Sequence, residues 1–292
     1  MRHIITLIAP PGSVLELAAF VTAIGQYDSL RWLEPQRACD ITLTRAPDHL
    51  LRSMLQQRCH HYGVDCIIQP RPGREKKLLI SDMDSTMIAQ ECIDELADCV
   101  GLKDYVAAIT ERAMNGELDF AAALRERVTL LKDLPLQALH EVYRDRITFM
   151  PGAATLVATM KARGAYCVLV SGGFTFFTQR VAAALGFDCE EANRLVIRDG
   201  KLTGAVEEPI LDKHSKRAAL HRIAAARRVP LSATLAVGDG ANDLPMLRDA
   251  GLGVAYHAKP LVVQQARAAI HHNDLTALLF AQGIAENEWV IA

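Results

Sequence analysis

The chain has 292 residues, is 50% hydrophobic and carries a formal net charge of −2. This length is enough for two domains, and the near-neutral charge gives no general attraction to nucleic acid or to anionic membrane surfaces. No apolar run approaches the roughly 18 residues of a transmembrane helix, and seven cysteines without a CxxC pair argue against a disulfide framework, so we expect a cytoplasmic protein.

The first part of the chain alternates strand-like and helix-like stretches. β-branched and apolar runs predict strands at 3–8, on both sides of a turn within 29–44, and at 64–69. Apolar residues at helical spacing predict helices over 13–25 and 47–62. The resulting order, β-α-β-β-α-β, is the ferredoxin-like pattern.

This pattern predicts a small N-terminal domain over residues 1–72. The segment PRPGREKK, rich in proline, glycine and charge, predicts a linker to a second domain at 77–292. The element order resembles that of ACT-type regulatory domains, which bind amino acids and often dimerise, so a homodimer formed through this domain is one expectation. No specific motif supports ligand binding, and an inert docking or dimerisation domain fits the same pattern.

The stretch KLLISDMDST places two carboxylates just past a buried strand. Leu78 to Ile80 form a short apolar run, and Asp82 and Asp84 follow it. In a parallel α/β sheet, binding and catalytic groups lie past the carboxyl ends of the strands. Two neighbouring carboxylates need a divalent cation or a shared proton to offset their repulsion. The motif is short, and a solvated turn rich in Asp and Ser also fits it.

Residues 90–148 read as a run of helices with charges on one face. An insertion of about 60 residues is too long for a simple strand-to-helix loop. Because it follows the strand that ends in the two aspartates, we expect a helical cap that covers the site and excludes water from it.

The α/β pattern resumes after this insertion. Strands at 165–170, 234–237 and 251–255 alternate with helices, including a basic helix at 213–228, and residues 194–206 predict a hairpin with a DG turn. Repeated strand–helix units predict a doubly wound parallel sheet with right-handed crossovers.

Three strands of this sheet end in polar motifs, DMDST, SGGF and GDGAND, which can meet in one crevice. Ser171 and Gly172 offer a hydroxyl and backbone N–H groups that suit a phosphate. Asp82, Asp239 and Asp243 would form an oxygen-rich pocket of the kind that Mg²⁺ prefers. The set indicates phosphoryl transfer, with one aspartate as nucleophile and a second as acid/base. No P-loop sequence is present.

In this order, DMDST, SGGF, a lysine and GDGAND resemble the haloacid dehalogenase-like superfamily of aspartate-nucleophile phosphatases. Within it, the resemblance to the phosphoserine phosphatase family is close over roughly residues 77–285 and includes DSTMIAQECIDELA, RERVTLLKDLP and EANRLVIRDGKLTG. It implies a Rossmann-like core and Mg²⁺-dependent hydrolysis of O-phospho-L-serine through an aspartyl-phosphate, the last step of serine biosynthesis. The alternative is a related phosphatase, or a phosphotransferase, acting on another small phosphate ester such as phosphohomoserine.

The resemblance also implies roles for the residues of the core. Asp82 would be the nucleophile and Asp84 the general acid/base. Mg²⁺ would be bound by Asp82, the backbone carbonyl of Asp84 and Asp239, with Asp243 orienting its water shell. The phosphate-binding residues would be Ser171, Gly172 and Lys216, with Asn242 close to the site. The family spacing alone selects Lys216 over Lys213.

On the cap, the resemblance implies Glu91 opposite the substrate ammonium, Arg127 opposite its carboxylate, and Met114 and Phe120 as an apolar wall. Phosphoserine carries an amine, a carboxylate and a phosphate, so a site specific for it requires charges of this kind. From spacing alone, Glu91, Arg125 and Arg127 also fit a solvated helix face with ordinary ion pairs.

Overall fold

Two sheets organise residues 2–115 and 117–291, which are the residues described by this computed structural model; the side chain of Met114 is not among them. A four-stranded antiparallel sheet comes first along the chain, and a six-stranded parallel sheet follows it. None of the helices within these ranges is both long and apolar enough to cross a membrane. The predicted fold class is confirmed.

The N-terminal domain has the predicted β-α-β-β-α-β order. Its elements are β1 (His3–Ile8), α1 (Leu17–Ile24), β2 (Ser29–Glu34), β3 (Ala38–Leu43), α2 (His49–Tyr62) and β4 (Asp65–Pro70). The strands pair antiparallel in the order β2-β3-β1-β4. Ile5 and Leu7 of β1 alternate with residues of the opposite face and pack with Phe20 and Leu55 of the two helices.

The remaining elements form the second, larger part of the chain. In chain order they are β5 (Leu78–Ser81), α3 (Cys92–Asp98), α4 (Lys103–Met114), α5 (Phe120–Thr129), α6 (Leu136–Asp145), α7 (Ala153–Ala162), β6 (Tyr166–Phe174), α8 (Thr175–Leu185), β7 (Cys189–Asn193), β8 (Leu195–Arg198), β9 (Lys201–Val206), α9 (Lys213–Ala226), β10 (Thr234–Gly238), α10 (Leu244–Asp249), β11 (Leu252–Tyr256), α11 (Pro260–Gln265), β12 (Ala268–Ile270) and α12 (Ala277–Ala281).

The parallel sheet has the order β12-β11-β10-β5-β6-β7, so the strand that precedes the two aspartates lies near its centre. Both faces of β5 are covered, and Leu78, Leu79 and Ile80 are fully buried. The two edge strands, β7 and β12, are absent from the sequence prediction. Strand β7 is the polar sequence CEEAN and β12 has only three residues, so neither carries the apolar run of a doubly covered strand.

Strand β6 also differs from the prediction, which ends it at Val170 and treats SGGF as a loop. The strand runs to Phe174, because Phe174 pairs again with Asn193 of β7 after an irregular interruption. The segment Ser171-Gly172-Gly173, called the glycine segment below, therefore belongs to strand β6 and is not a free loop.

The cap consists of helices α3 to α6, inserted between β5 and β6. Two short stretches connect it to the core, where Ala89 N–H donates to Thr148 O (3.0 Å) and Met150 N–H donates to Met87 O (2.9 Å). The β8–β9 hairpin extends from the core and bonds to the cap, since Leu202 N–H donates to Leu134 O at 2.9 Å. This attachment of the hairpin to the cap was not predicted.

Buried polar contacts connect the two domains. The side chain of Asp65 on β4 accepts hydrogen bonds from the backbone N–H groups of residues 271–273 at 2.8, 3.1 and 3.0 Å. Arg74 pairs with Asp40 of the N-terminal sheet at 2.5 Å and donates to Phe280 O, which follows the parallel sheet in the chain, at 3.0 Å.

Candidate active site

The three polar motifs meet because β5 pairs with β6 on one side and with β10 on the other. The Asp82 N–H donates to Val237 O of β10 at 3.0 Å, which extends the pairing to the aspartate itself. Asp82 and Asp84 are 5% and 8% exposed, so both carboxylates are largely removed from solvent. The solvated-turn interpretation of this stretch is therefore wrong.

One lysine bridges two of the buried carboxylates. The Nζ of Lys216 lies 2.7 Å from Asp82 Oδ2 and 2.7 Å from Asp243 Oδ1, and the side chain is 0% exposed. Burial alone would lower the pKa of the ammonium, but Asp243 and Asp82 outweigh burial and raise that pKa, so the lysine is charged. Lys213, on the same helix, is exposed.

Three carboxylates form a compact oxygen cluster. One oxygen each of Asp82, Asp239 and Asp243 lie within 4.8 Å of one another. Burial, then Asp243 and Asp239, raise the pKa of Asp82, although Lys216 opposes them. Burial and Asp243 raise the pKa of Asp239 to about 7. One lysine does not balance three carboxylates, so the cluster has an excess of negative charge.

This cluster fits a hard divalent cation. Carboxylate oxygens are the ligands that Mg²⁺ prefers, and a cation would remove the repulsion that raises these pKa values. Asn242, on the turn that follows β10, adds a buried Oδ1 that has no hydrogen-bond partner among the described residues. An unpaired buried acceptor beside the cluster is consistent with a ligand, or with the water shell of a cation, at this place.

Asp84 has a different environment from Asp82. Its Oδ1 accepts from the backbone N–H of Cys92 (2.9 Å) and its Oδ2 accepts from the hydroxyl of Ser171 (3.0 Å). The Gly173 N–H in turn donates to Ser171 Oγ at 2.8 Å. Asp84 thus lies at the first turn of cap helix α3 and outside the lysine-bridged cluster. Two neighbouring carboxylates in different surroundings can take different chemical roles.

A narrow cleft lies between the core motifs and the cap. Its cap side is formed by Glu91, Phe120 and Arg127, among others. Glu91 accepts from the Ser85 hydroxyl at 2.7 Å, and burial together with the charge of Asp84 raises the pKa of Glu91. The cleft therefore lies between the polar motifs of the core and acidic and basic side chains of the cap.

Phe120 closes the cleft against the glycine segment. A Cβ on Gly172 would lie 2.6 Å from Cζ of Phe120, so only glycine permits this contact between core and cap. Met114, predicted as the second wall residue, has a side chain outside the described residues.

The two neighbouring cap arginines lie in different places. Arg125 is exposed and pairs with Glu208 at 2.8 Å, as an ordinary surface ion pair. Arg127 is 2% exposed and lines the cleft. Its Nε donates to Ala123 O (3.1 Å) and its Nη1 to Thr110 Oγ1 (2.9 Å). Among the described residues, no carboxylate lies within the 4.0 Å of an ion pair from this guanidinium.

Sequence reasoning missed three polar residues that support the site. Thr86 donates to Asp239 Oδ1 at 3.0 Å, and Thr110 accepts from Arg127. Asn193 of β7 donates to Gly172 O at 2.8 Å and so fixes the backbone of the glycine segment. Asn193 and Thr110 act across distant parts of the chain, so no local spacing could have revealed them, whereas Thr86 belongs to the DMDST motif itself.

Comparisons with known proteins agree with this architecture. Residues 79–248 match the family model of the haloacid dehalogenase-like hydrolases. A solved structure of a hydrolase of that family from Salmonella enterica serovar Typhi aligns with a TM-score of 0.85 at 33% identity, covering 98% of this chain and 99% of that one. These findings define the class of protein to which the core and its aspartates correspond.

Two further relatives narrow this class. A phosphoserine phosphatase from Polaromonas sp. (strain JS666) is 50% identical over 208 residues, which are 70% of this chain and 88% of that protein. The structure of a substrate-bound phosphoserine phosphatase complex aligns with a TM-score of 0.68 at 42% identity, over 70% of this chain and 98% of that one. The chain therefore belongs to the haloacid dehalogenase-like hydrolases, in the phosphoserine phosphatase family, and the resemblance noted in the sequence is confirmed.

Proposed function

We propose that the chain hydrolyses O-phospho-L-serine to L-serine and phosphate, with Mg²⁺ as cofactor. The observation that carries this proposal is the buried guanidinium of Arg127, which faces the cleft without a carboxylate partner. A buried charge without a partner is unfavourable, so a site that retains one is suited to a ligand that brings the opposite charge. The phosphoserine phosphatases among the relatives agree with this substrate.

The core residues would carry out the transfer in two steps. Asp82 attacks phosphorus and forms an aspartyl-phosphate, while Asp84 protonates the departing serine oxygen. Asp84 then removes a proton from the water that hydrolyses the intermediate. Asp82, Asp239 and the backbone carbonyl of Asp84 would hold Mg²⁺, which supplies neutralisation of charge at the transferred phosphoryl group. Asp243 would orient the water shell of the ion.

The remaining core residues bind the phosphate. Ser171 and Gly172 present a hydroxyl and a backbone N–H at the irregular end of β6. Lys216 offsets negative charge between Asp82 and the incoming phosphate. Asn242, with its unpaired Oδ1, lies beside this group.

The cap would select the amino-acid part of the substrate. Glu91 faces the ammonium, Arg127 binds the carboxylate through its planar fork, and Phe120 covers the apolar β-carbon. Rejection of esters that lack one of these groups follows, because each buried charge would then be left unpaired.

A phosphate-release assay on the full chain tests this proposal. Phosphoserine, phosphothreonine, phosphohomoserine and a sugar phosphate are compared with and without Mg²⁺, and homoserine is added as an acceptor to detect phosphotransfer. We expect fastest release from phosphoserine and none without the metal ion. Faster turnover of another ester, or transfer to homoserine, would overturn the assignment.

A matched pair of cap variants tests the carboxylate contact. Arg127→Met should raise the KM for phosphoserine by about 100-fold, as expected from a lost bidentate contact to a charged group. Arg125→Met, which removes an exposed arginine from the same helix, should leave the KM within about twofold. Equal effects of the two variants would contradict the assignment of Arg127.

Cellular context and assembly complete the proposal. All seven cysteines are free, which agrees with a reducing compartment such as the cytoplasm, where this hydrolysis would be the last step of serine biosynthesis. A homodimer formed through the N-terminal domain stays a prediction, which light scattering of the full chain would test. Calorimetric titration of serine into the full chain, with the active site blocked by the Asp82→Asn substitution, would test amino-acid binding by this domain.

A further inference from the structure

The cap holds Arg127 in an unusual way for a buried guanidinium. Its only side-chain partner among residues 2–115 and 117–291 is the hydroxyl of Thr110, at 2.9 Å from Nη1. The other contact, from Nε to Ala123 O, lies within its own helix. Arg127 lies on α5 and Thr110 on α4, so this hydroxyl provides the hydrogen bond between the arginine side chain and another helix of the cap.

Thr110 is in turn fixed by a carboxylate on a third helix. Its Oγ1 lies 2.7 Å from Asp94 Oδ1 of α3 and 3.0 Å from Val106 O, and the residue is buried. A hydroxyl has one hydrogen to donate and lone pairs to accept. When it donates to Asp94, its lone pair is turned to the N–H of Arg127. The β-branched side chain also has few rotamers in a helix, which limits alternatives.

This arrangement compensates the arginine without occupying its binding edge. A carboxylate paired directly with a guanidinium would take up the fork that a substrate carboxylate needs. Asp94 instead acts one group away, through Thr110, and no hydrogen bond from Nη2 of Arg127 to a described residue is present. Burial raises the pKa of Asp94, and the hydrogen bond from Thr110 and the charge of Arg127 oppose this rise.

We propose that Thr110, anchored by Asp94, is a positioning residue that fixes Arg127 for the substrate carboxylate and thereby sets selectivity for phosphate esters of amino acids. The inference rests on the proposed function, since it deepens the role of Arg127. Neither Thr110 nor Asp94 lines the cleft, so both act on the substrate only through the arginine.

The test compares two substrates that differ in the carboxylate. O-Phosphoserine carries it and O-phosphoethanolamine does not. In Thr110→Val, which removes the hydroxyl and keeps the branched shape, we expect the KM for phosphoserine to rise about tenfold, the loss typical of one hydrogen bond to a charged group. The kcat for phosphoserine, and the kcat/KM for phosphoethanolamine, should stay within about twofold.

Three further variants separate positioning from a structural role. Thr110→Ser retains the hydroxyl and should restore most of the preference for phosphoserine. Thr129→Val removes an exposed hydroxyl from α5 and should change neither substrate. If Thr110→Val does not fold, Asp94→Asn removes the anchoring charge and should lower the same preference.

The outcomes are distinct. A loss of activity that is equal for the two substrates, or an unchanged KM for phosphoserine in both Thr110→Val and Asp94→Asn, would overturn the inference. If the wild-type chain itself did not prefer phosphoserine to phosphoethanolamine, the proposed function would fail instead.

Discussion

The contact between Gly172 and Phe120 gives the sharpest prediction about how the cap meets the core. We consider Gly172→Ala, which adds a single Cβ to the glycine segment and keeps its backbone N–H. Gly172 does not have a φ in the left-handed region, so alanine adds no backbone strain there. The new carbon would lie 2.6 Å from Cζ and 3.2 Å from Cε2 of Phe120. The effect of the substitution is therefore a clash between core and cap.

The size of the effect follows from these distances. Carbon atoms pack at about 3.5–4.0 Å, so the cap must move back by about 1 Å to accept the new atom. Inserting an atom into a packed contact costs about 1–3 kcal/mol. If this energy opposes closure of the cap over the substrate, kcat/KM should fall by about 5- to 150-fold.

A double-mutant cycle on phosphoserine hydrolysis measures the contact directly. Phe120→Leu removes the ring carbons that the new Cβ would meet. The loss caused by Gly172→Ala should therefore be at least about fivefold smaller in the Phe120→Leu background than in the wild type. An equal loss in the two backgrounds would refute the steric reasoning and would indicate an effect on phosphate binding alone.

Three further predictions concern the core. Lys216→Met should lower the free energy of unfolding of the metal-free protein by about 3 kcal/mol in urea, because it leaves Asp243 buried without its partner, and Mg²⁺ should restore part of the loss. Since the pKa of Asp239 is raised to about 7, a proton must leave when Mg²⁺ binds at lower pH, so calorimetric affinity should rise with pH up to about 7 and then level off. Asn193→Leu should weaken competitive inhibition by inorganic phosphate about tenfold, because Gly172 loses its support.

Each of these predictions has its own control. Lys213→Met removes an exposed lysine from the same helix and should not change stability; a similar loss in both lysine variants would contradict the bridging role of Lys216. Affinity for Mg²⁺ that does not depend on pH between about 5 and 7 would show that no proton is displaced from Asp239. Unchanged phosphate inhibition in Asn193→Leu would mean that the glycine segment keeps its shape without this side chain.

The sequence was sufficient for the parts of the fold that depend on local pattern. The apolar run before Asp82 predicts a central strand because that strand is covered on both faces. The β-α-β-β-α-β order and the helical insertion could be predicted for a similar reason: the spacing of apolar residues within one element indicates which of its faces is buried. The edge strand β7 was not predicted because it is short and polar. Its formation depends on pairing with β6 and not on a pattern in its own residues.

The residues of the candidate site also fall into those that local pattern predicts and those that depend on tertiary packing. Asp82 and Asp239 directly follow strands, and Ser171 lies near the carboxyl end of β6, so topology alone brings them together. The choice of Arg127 over Arg125 required the family spacing, and the structure supplies the physical difference, a buried side chain against an exposed one. The role of Thr110 depends on how three helices pack, which no spacing in one stretch of sequence encodes.

The central claim is that Asp82 attacks phosphorus while the carboxyl group of Asp84 only transfers protons. Rapid acid quenching of the enzyme with phosphoserine and Mg²⁺, followed by borohydride reduction and peptide mass spectrometry, locates the acyl-phosphate. We predict that the modified residue is Asp82 and that Asp82→Asn loses both the modification and steady-state phosphate release. Modification of Asp84, or phosphate release that persists in Asp82→Asn, would contradict it.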